Sequence, residues 1–260
     1  MSASKPLLAF FGPTGGSTLA CLILALKSSH TCLALARTPE KLISALLAAG
    51  VSQSTISASL HIIKGDILNP ADVTRALTLD DNTADIIISG IGTFPTLSTL
   101  LFGEVTICRN GVANILDALR RLPPPPSSST TGRKEKKKPL LVALSTTGIY
   151  RNSETRDLPF LMFPLYFCIR VPHHDKVAME DSIMAEMAKR EEAVISGYVM
   201  PRPSLLTDGP ATEGLVRAGA ETKPAVGYTI SRQDVGRWVF ENCVAREGEG
   251  LVGRKVSLTY

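Results

Sequence analysis

An apolar run, Leu7–Phe11, stops at Gly12, and Pro13-Thr14-Gly15-Gly16-Ser17-Thr18 follows before an apolar helical pattern resumes at Leu19. No other stretch constrains the fold so tightly. A buried strand that ends in a glycine-rich turn and opens a helix gathers free backbone N–H groups at one point. The glycines let that backbone approach a charged group closely. The pattern predicts a strand–turn–helix unit whose turn, Gly12, Thr14, Gly15, Gly16 and Ser17, holds a pyrophosphate. A third glycine at the usual spacing is missing, and Thr18 stands in its place.

The same alternation runs along the chain. Strand-like apolar runs fall at Leu7–Phe11, Thr31–Ala36, Leu60–Ile63, Ala84–Ser89, Leu140–Ser145, Gly197–Pro201, Gly227–Ile230 and Lys255–Leu258. Helix-period segments separate them, at Ser17–Ser28, Pro39–Ala49, Pro70–Leu77, Gly103–Arg121, Asp175–Ser196 and Ser231–Ala245. Strands alternating with helices predict an α/β fold with a doubly wound, Rossmann-like parallel sheet. At 260 residues the chain fits a single domain spanning 1–260. Pro39 and Pro70 suit the first turn of a helix, where a missing N–H costs little. Ser231 before Arg232-Gln233-Asp234 reads as an N-cap followed by an acid.

One low-complexity segment, 123–138, carries four prolines, a Ser/Thr tract and Arg133-Lys134-Glu135-Lys136-Lys137-Lys138. It reads as a disordered, solvated surface insertion, with nuclear targeting or polyanion binding as the competing use of its charge. The net charge of +4 sits in that run, so the remainder makes no case for nucleic acid. No uninterrupted apolar run is long enough to span a bilayer. Gly12, Pro13, Gly15 and Gly16 break the N-terminal apolar stretch where the core of a signal peptide would lie. Cys21, Cys32, Cys108, Cys168 and Cys243 are scattered without C-x-x-C spacing and read as reduced thiols. These features predict a soluble, cytoplasmic monomer or homodimer without a metal site, nucleic-acid partner or membrane partner.

Three further strand ends carry chemistry. The second strand closes on Arg37-Thr38 with no carboxylate at its tip, which suits the 2′-phosphate of NADPH or NADP+ better than the free ribose of NAD. Lys64-Gly65-Asp66-Ile67 follows the third strand; Asp66 would accept from the adenine amine or, alternatively, cap the helix that begins near Pro70. Ser89-Gly90-Ile91-Gly92 follows the fourth, where Gly90 and Gly92 let the chain pass close to adenine and ribose.

In this order the four motifs resemble the atypical short-chain dehydrogenase/reductases of the NmrA-like group. Val171-Pro172-His173-His174-Asp175-Lys176, Arg202-Pro203-Ser204 through Gly209-Pro210, and Tyr228-Thr229-Ile230-Ser231 resemble the NAD(P)H-binding subgroup that includes biliverdin reductase B, a flavin reductase. The resemblance spans nearly the whole chain apart from the insertion. It implies that Lys176 holds the nicotinamide ribose and that Ser145 or Thr146, at the end of the fifth strand, lies at the active site. It also implies that Arg202 and Pro203 lie beside the nicotinamide, while Arg202 reads equally as a structural pin. The usual Tyr-x-x-x-Lys pair is broken, because Pro172 stands four residues before Lys176.

Candidates for the missing proton donor are His173, His174, Ser145, Thr146, Thr147 and Tyr150, with Thr146 and the two histidines favoured. Leu158–Phe167 is unusually apolar for a connection and reads as a lid over a flat substrate or, equally, as core packing or a dimer face. The expected activity is NADPH-dependent hydride transfer to a conjugated, mainly apolar small molecule: a quinone, flavin, enone, or aromatic or polyketide carbonyl. A non-catalytic NADP(H) sensor of the NmrA type and a non-redox isomerase or cyclase remain the alternatives.

Overall fold

The computed structural model describes residues 5–92, 105–122, 137–149, 155–168, 170–212 and 214–260. The first half contains β1 (Leu8–Phe11), α1 (Gly16–Lys27), β2 (Cys32–Ala36), α2 (Pro39–Ala48), α3 (Gln53–Ser59), β3 (Leu60–Lys64) and α4 (Pro70–Arg75). A small hairpin, β4 (Thr78–Leu79) and β5 (Asn82–Thr83), leads to β6 (Ile86–Ser89) and then α5 (Ile107–Arg121). Next come β7 (Leu140–Ala143), α6 (Phe163–Cys168), α7 (Arg170–Met187), β8 (Gly197–Pro203), β9 (Leu205–Thr207) and β10 (Arg217–Ala220). β11 (Thr229–Ser231), α8 (Arg232–Val239), a π-helical turn at Phe240–Val244 and β12 (Arg254–Thr259) close the chain.

Eight strands form the main sheet in the order β10-β12-β8-β7-β6-β1-β2-β3. All neighbours are parallel except β10, which runs antiparallel to β12 at the edge. Buried on both faces, β1, β2, β6 and β7 are unbroken apolar runs save Ser89. Alternate residues feed two cores: Leu8 and Phe10 pack with α1 and α8, and Ala9 and Phe11 with α4, α5 and α7. The strand order reverses between β1 and β6. Their carboxyl ends therefore diverge into helices on opposite faces and leave a crevice there.

The elements differ from the sequence expectations at definable places. α7 starts at Arg170 rather than Asp175, because Pro172 falls within its first turn, where proline fits. It stops at Met187, short of Ser196. The strand expected at Gly227–Ile230 forms at Thr229–Ser231 but pairs with β9 in a separate two-stranded sheet. The helix expected from Gly103 starts at Ile107. Of the insertion, 123–136 lie outside the described residues, while Lys138 donates to Glu191 O at 2.6 Å. Ser231 caps α8, accepting from Asp234 N at 3.0 Å, as expected. Among the described residues no helix is long and apolar enough to cross a membrane.

Candidate active site

At the crevice the turn after β1 meets the turn after β6. Gly12 adopts φ +74°, and a Cβ there would lie 2.9 Å from Gly90 O. Gly15 N donates to Gly12 O at 3.0 Å, tightening the turn just before α1. Thr18 is buried against Gly90, where a Cβ would overlap the Thr18 hydroxyl. The glycine expected at position 18 is thus replaced by one at 90: the partner strand gives way to the threonine. Close approach of α1 to α8 is secured from the other helix, since a Cβ at Gly236 would press on Ser17 O and Cys21 N.

A cavity of about 390 Å³ opens from this turn. Gly15, Gly16 and Ser17 line one part, with the Arg232 stem resting on Gly16. Ser17 Oγ is buried and has no hydrogen-bond partner among the described residues. Gly90, Gly92 and Leu144 line it too, and Thr146, Leu165, Tyr166, His173, Lys176 and Leu205 contribute side chains to it.

Polar contacts set the geometry around these side chains. Lys176 Nζ donates to Ile91 O at 2.7 Å and Leu144 O at 2.6 Å, tying the ends of β6 and β7 together beneath the cavity. Its neighbour Asp175 accepts from Cys108 N and Arg109 N at 2.8 and 2.9 Å and so caps α5 from outside. Arg202 and Glu180 form a fully buried ion pair, Nη2 to Oε2 2.6 Å and Nε to Oε1 2.9 Å. The Ser145 hydroxyl donates to the same carboxylate at 2.7 Å. Thr147 is buried, its hydroxyl 2.7 Å from the Tyr166 hydroxyl. Thr146, between them, is partly exposed and lines the cavity.

His173 Nε2 lies 3.2 Å from Thr147 O, a pure acceptor, so this nitrogen carries the proton and donates it there. Burial holds the imidazole's pKa below its ordinary value, leaving it neutral at pH 7. Burial also pushes the Cys108 thiol up to about 11, which makes it an inert lining group.

Comparison with known proteins decides the family. A profile described as NAD(P)H-binding matches residues 12–245. The chain is 46% identical to reductase pytE of Aspergillus terreus over 275 aligned residues, covering all of both chains. It is 35% identical to oxidase pynE of Aspergillus niger, covering 98% of this chain and 99% of that one. The chain belongs to the NAD(P)H-binding family. A short-chain dehydrogenase/reductase of Veillonella parvula, solved in complex with NADP, has the same fold, with a TM-score of 0.63 at 14% identity over 99% of this chain and 95% of that one. The resemblance to atypical short-chain dehydrogenase/reductases, the Rossmann-like sheet, the NAD(P)H cofactor class and an NAD(P)H-dependent reductase activity all stand with these findings.

Within this NAD(P)H-binding frame the expected residues divide. Gly15, Gly16, Ser17, Gly90, Gly92, Ser145, Thr146, His173, Lys176 and Pro203 meet in one cavity. Gly12 shapes it from behind, and Thr14 is exposed at the turn's apex. Arg37 and Thr38 lie exposed beyond β2, next to the glycine turn, since Phe11 and Leu35 are register partners. Asp66 accepts from Leu68 N at 2.8 Å in a local turn, while Asn69 caps α4. Ile67 packs at Gly111 beside Ile91. His174 is exposed and Arg202 sealed in its ion pair; neither lines the cavity. Tyr150 lies outside the described residues. Sequence reasoning passed over Tyr166 and Asp175. Tyr166 was visible only as one aromatic in the apolar Leu158–Phe167 stretch, and nothing in the sequence marks Asp175 as the cap of a helix 67 positions earlier.

Proposed function

We propose that the protein is an NADPH-dependent reductase whose acceptor is a conjugated, mainly apolar small molecule: a quinone, flavin, enone, or aromatic or polyketide carbonyl. The observation that carries this reading is the cavity itself. One part is a glycine cradle, with the Ser17 hydroxyl, unpartnered among the described residues, beside the α1 N-terminus; Leu165, Leu205 and the Tyr166 ring give the same cavity an apolar lining. A dinucleotide's pyrophosphate fits the cradle: Ser17 Oγ and the Gly15 and Gly16 backbone supply donors for it, beside the Arg232 side chain, whose Nη1 pairs with Asp208 at 2.7 Å. Bound there, the cofactor would supply hydride.

The chain's own residues set the remaining terms. Lys176 keeps the ends of β6 and β7 at fixed separation and presents an ammonium to the cavity. Thr146 offers a hydroxyl to a polar atom of the acceptor, while Leu165 and Leu205 exclude water from its apolar body. Arg37 and Thr38 favour NADPH over NADH through the 2′-phosphate. The names reductase and oxidase carried by the two Aspergillus relatives accord with hydride transfer run in either direction.

The test is consumption of NADPH by the purified protein against a panel of flavins, quinones, enones and aromatic ketones. NADH is run beside it, and NADP+ reduction is followed with the corresponding alcohols. Turnover faster with NADPH on any acceptor supports the reading. Tight NADPH binding with no oxidation of NADPH and no reduction of NADP+ would transfer the assignment to a sensor or a non-redox enzyme.

A further inference from the structure

A reductase acting on a carbonyl needs a proton as well as a hydride, and Pro172 has none to give at its place four residues before Lys176. The structure brings a different donor to the cavity. Tyr166, from α6, lines it together with Thr146, Leu165 and His173. Three contacts fix the ring. Gly148, at φ +85°, leaves open the space the ring edge occupies: a Cβ there would sit 2.8 Å from Cδ1 and 2.9 Å from Cε1. His173 meets the ring edge-on with centroids 5.8 Å apart. The Thr147 hydroxyl holds the phenol oxygen at 2.7 Å. The phenol also hydrogen-bonds to Thr146, itself a lining residue, which sets the phenol oxygen beside the cavity.

We propose that Tyr166 is the proton donor to the substrate. As a carbonyl carbon gains hydride from reduced nicotinamide, the C=O π electrons move onto oxygen, and the phenolic O–H gives its proton to that oxygen. The phenolate regains a proton from water. Thr147 Oγ lies 3.4 Å from Pro203 O and 2.7 Å from the phenol oxygen; by donating to the phenol oxygen it leaves the phenol's own O–H for the substrate, and the same bond steadies the phenolate when it forms. Burial raises the phenol's pKa while the Thr147 and Thr146 hydroxyls pull it down, so the group is protonated at neutral pH. His173, whose Nε2 proton goes to Thr147 O, is a positioning residue that walls the ring.

This inference rests on the reductase reading, and acceptor chemistry separates the two. Tyr166→Phe keeps the ring and removes only the proton. We expect turnover with an aromatic ketone to fall about 100-fold or more, and turnover with a quinone or flavin to stay within about threefold, because solvent protonates a delocalised anion unaided. NADP+ affinity and melting temperature are expected to be unchanged, and the tyrosinate absorbance difference between wild type and variant is expected to titrate above the ordinary tyrosine range. Thr147→Val leaves the phenol in place and is expected to give a smaller loss confined to the ketone. Equal losses on both acceptor classes, no loss on either, or a wild type that reduces quinones and flavins but no ketone would each overturn the assignment. A wild type that oxidises no NADPH with any acceptor overturns the reductase reading first, without recourse to a variant.

Discussion

The two ends of the cavity are made from different material. The nucleotide end is backbone: a positive-φ Gly12 against Gly90, and the Gly15–Ser17 turn opening α1. The substrate end is side chains from three distant places: Ser145, Thr146 and Thr147 after β7, Tyr166 on α6, and His173, Lys176 and Glu180 on α7. Backbone that only glycine can adopt writes itself into the sequence. Side-chain clusters do not, because each member is ordinary until the fold brings its partners. The two ends should also fail differently when disturbed.

The largest effect is expected at the substrate end. Glu180 joins Arg202 and the Ser145 hydroxyl beneath the cavity, with both charges buried. Glu180→Ala takes the carboxylate from the buried guanidinium, at an expected loss of about 3–5 kcal/mol in urea denaturation. A loss below about 1 kcal/mol would mean that water or another group already satisfies Arg202, and that the side-chain end is not held from below.

At the nucleotide end the predicted failure is steric and reversible. Gly90→Ala forces its methyl into the Thr18 hydroxyl, and overpacking of this kind costs about 1–3 kcal/mol. Trimming the opposing group with Thr18→Ala in the same chain should restore most of the stability and the NADPH affinity. If the double variant is as impaired as the single one, Gly90 is required for its backbone and not for the room it leaves Thr18. A third variant probes affinity alone: Arg37→Ala should weaken NADPH binding about tenfold to a hundredfold and leave NADH binding as it was, since a charge-assisted contact to the 2′-phosphate is lost. Equal weakening of both cofactors in a direct binding titration removes Arg37 from the phosphate site.

The same contrast explains what could be read in advance. Seven strands of the main sheet, β1, β2, β3, β6, β7, β8 and β12, lie within a few residues of their sequence-based positions because each is an apolar run between turn residues. α3 escaped because Gln53–Ser59 carries a single buried apolar residue, Ile56, and is held by its Ser52 cap instead of by an apolar stripe. α6 escaped because Phe163-Pro164-Leu165-Tyr166 reads as a greasy connection; it becomes a helix by packing over Gly148 and against His173. Thr146 was separable from Thr147 only by register, which turns Thr147 inward to Tyr166 and leaves Thr146 facing the cavity. Arg202 read equally as a neighbour of the nicotinamide and as a structural pin; the pin is what its pairing with Glu180, on another element 22 positions away, makes of it.

The smallest expected effect lies in acid. Burial lowers the pKa of His173 in the folded chain, so between its folded and unfolded values the unfolded chain binds more protons. Stability from this site is therefore complete above the unfolded value near 6.5 and is lost as pH falls through the depressed folded value. His30, whose pKa burial also lowers, acts in the same direction from just after the C-terminus of α1, edge-on to Phe240 and outside the cavity lining. His173→Asn should flatten part of the decline in melting temperature below pH 6.5 and leave the His30 part in place. A decline that keeps its full slope in the variant would show that the imidazole is solvated in solution, with the Tyr166 ring then unwalled on that side.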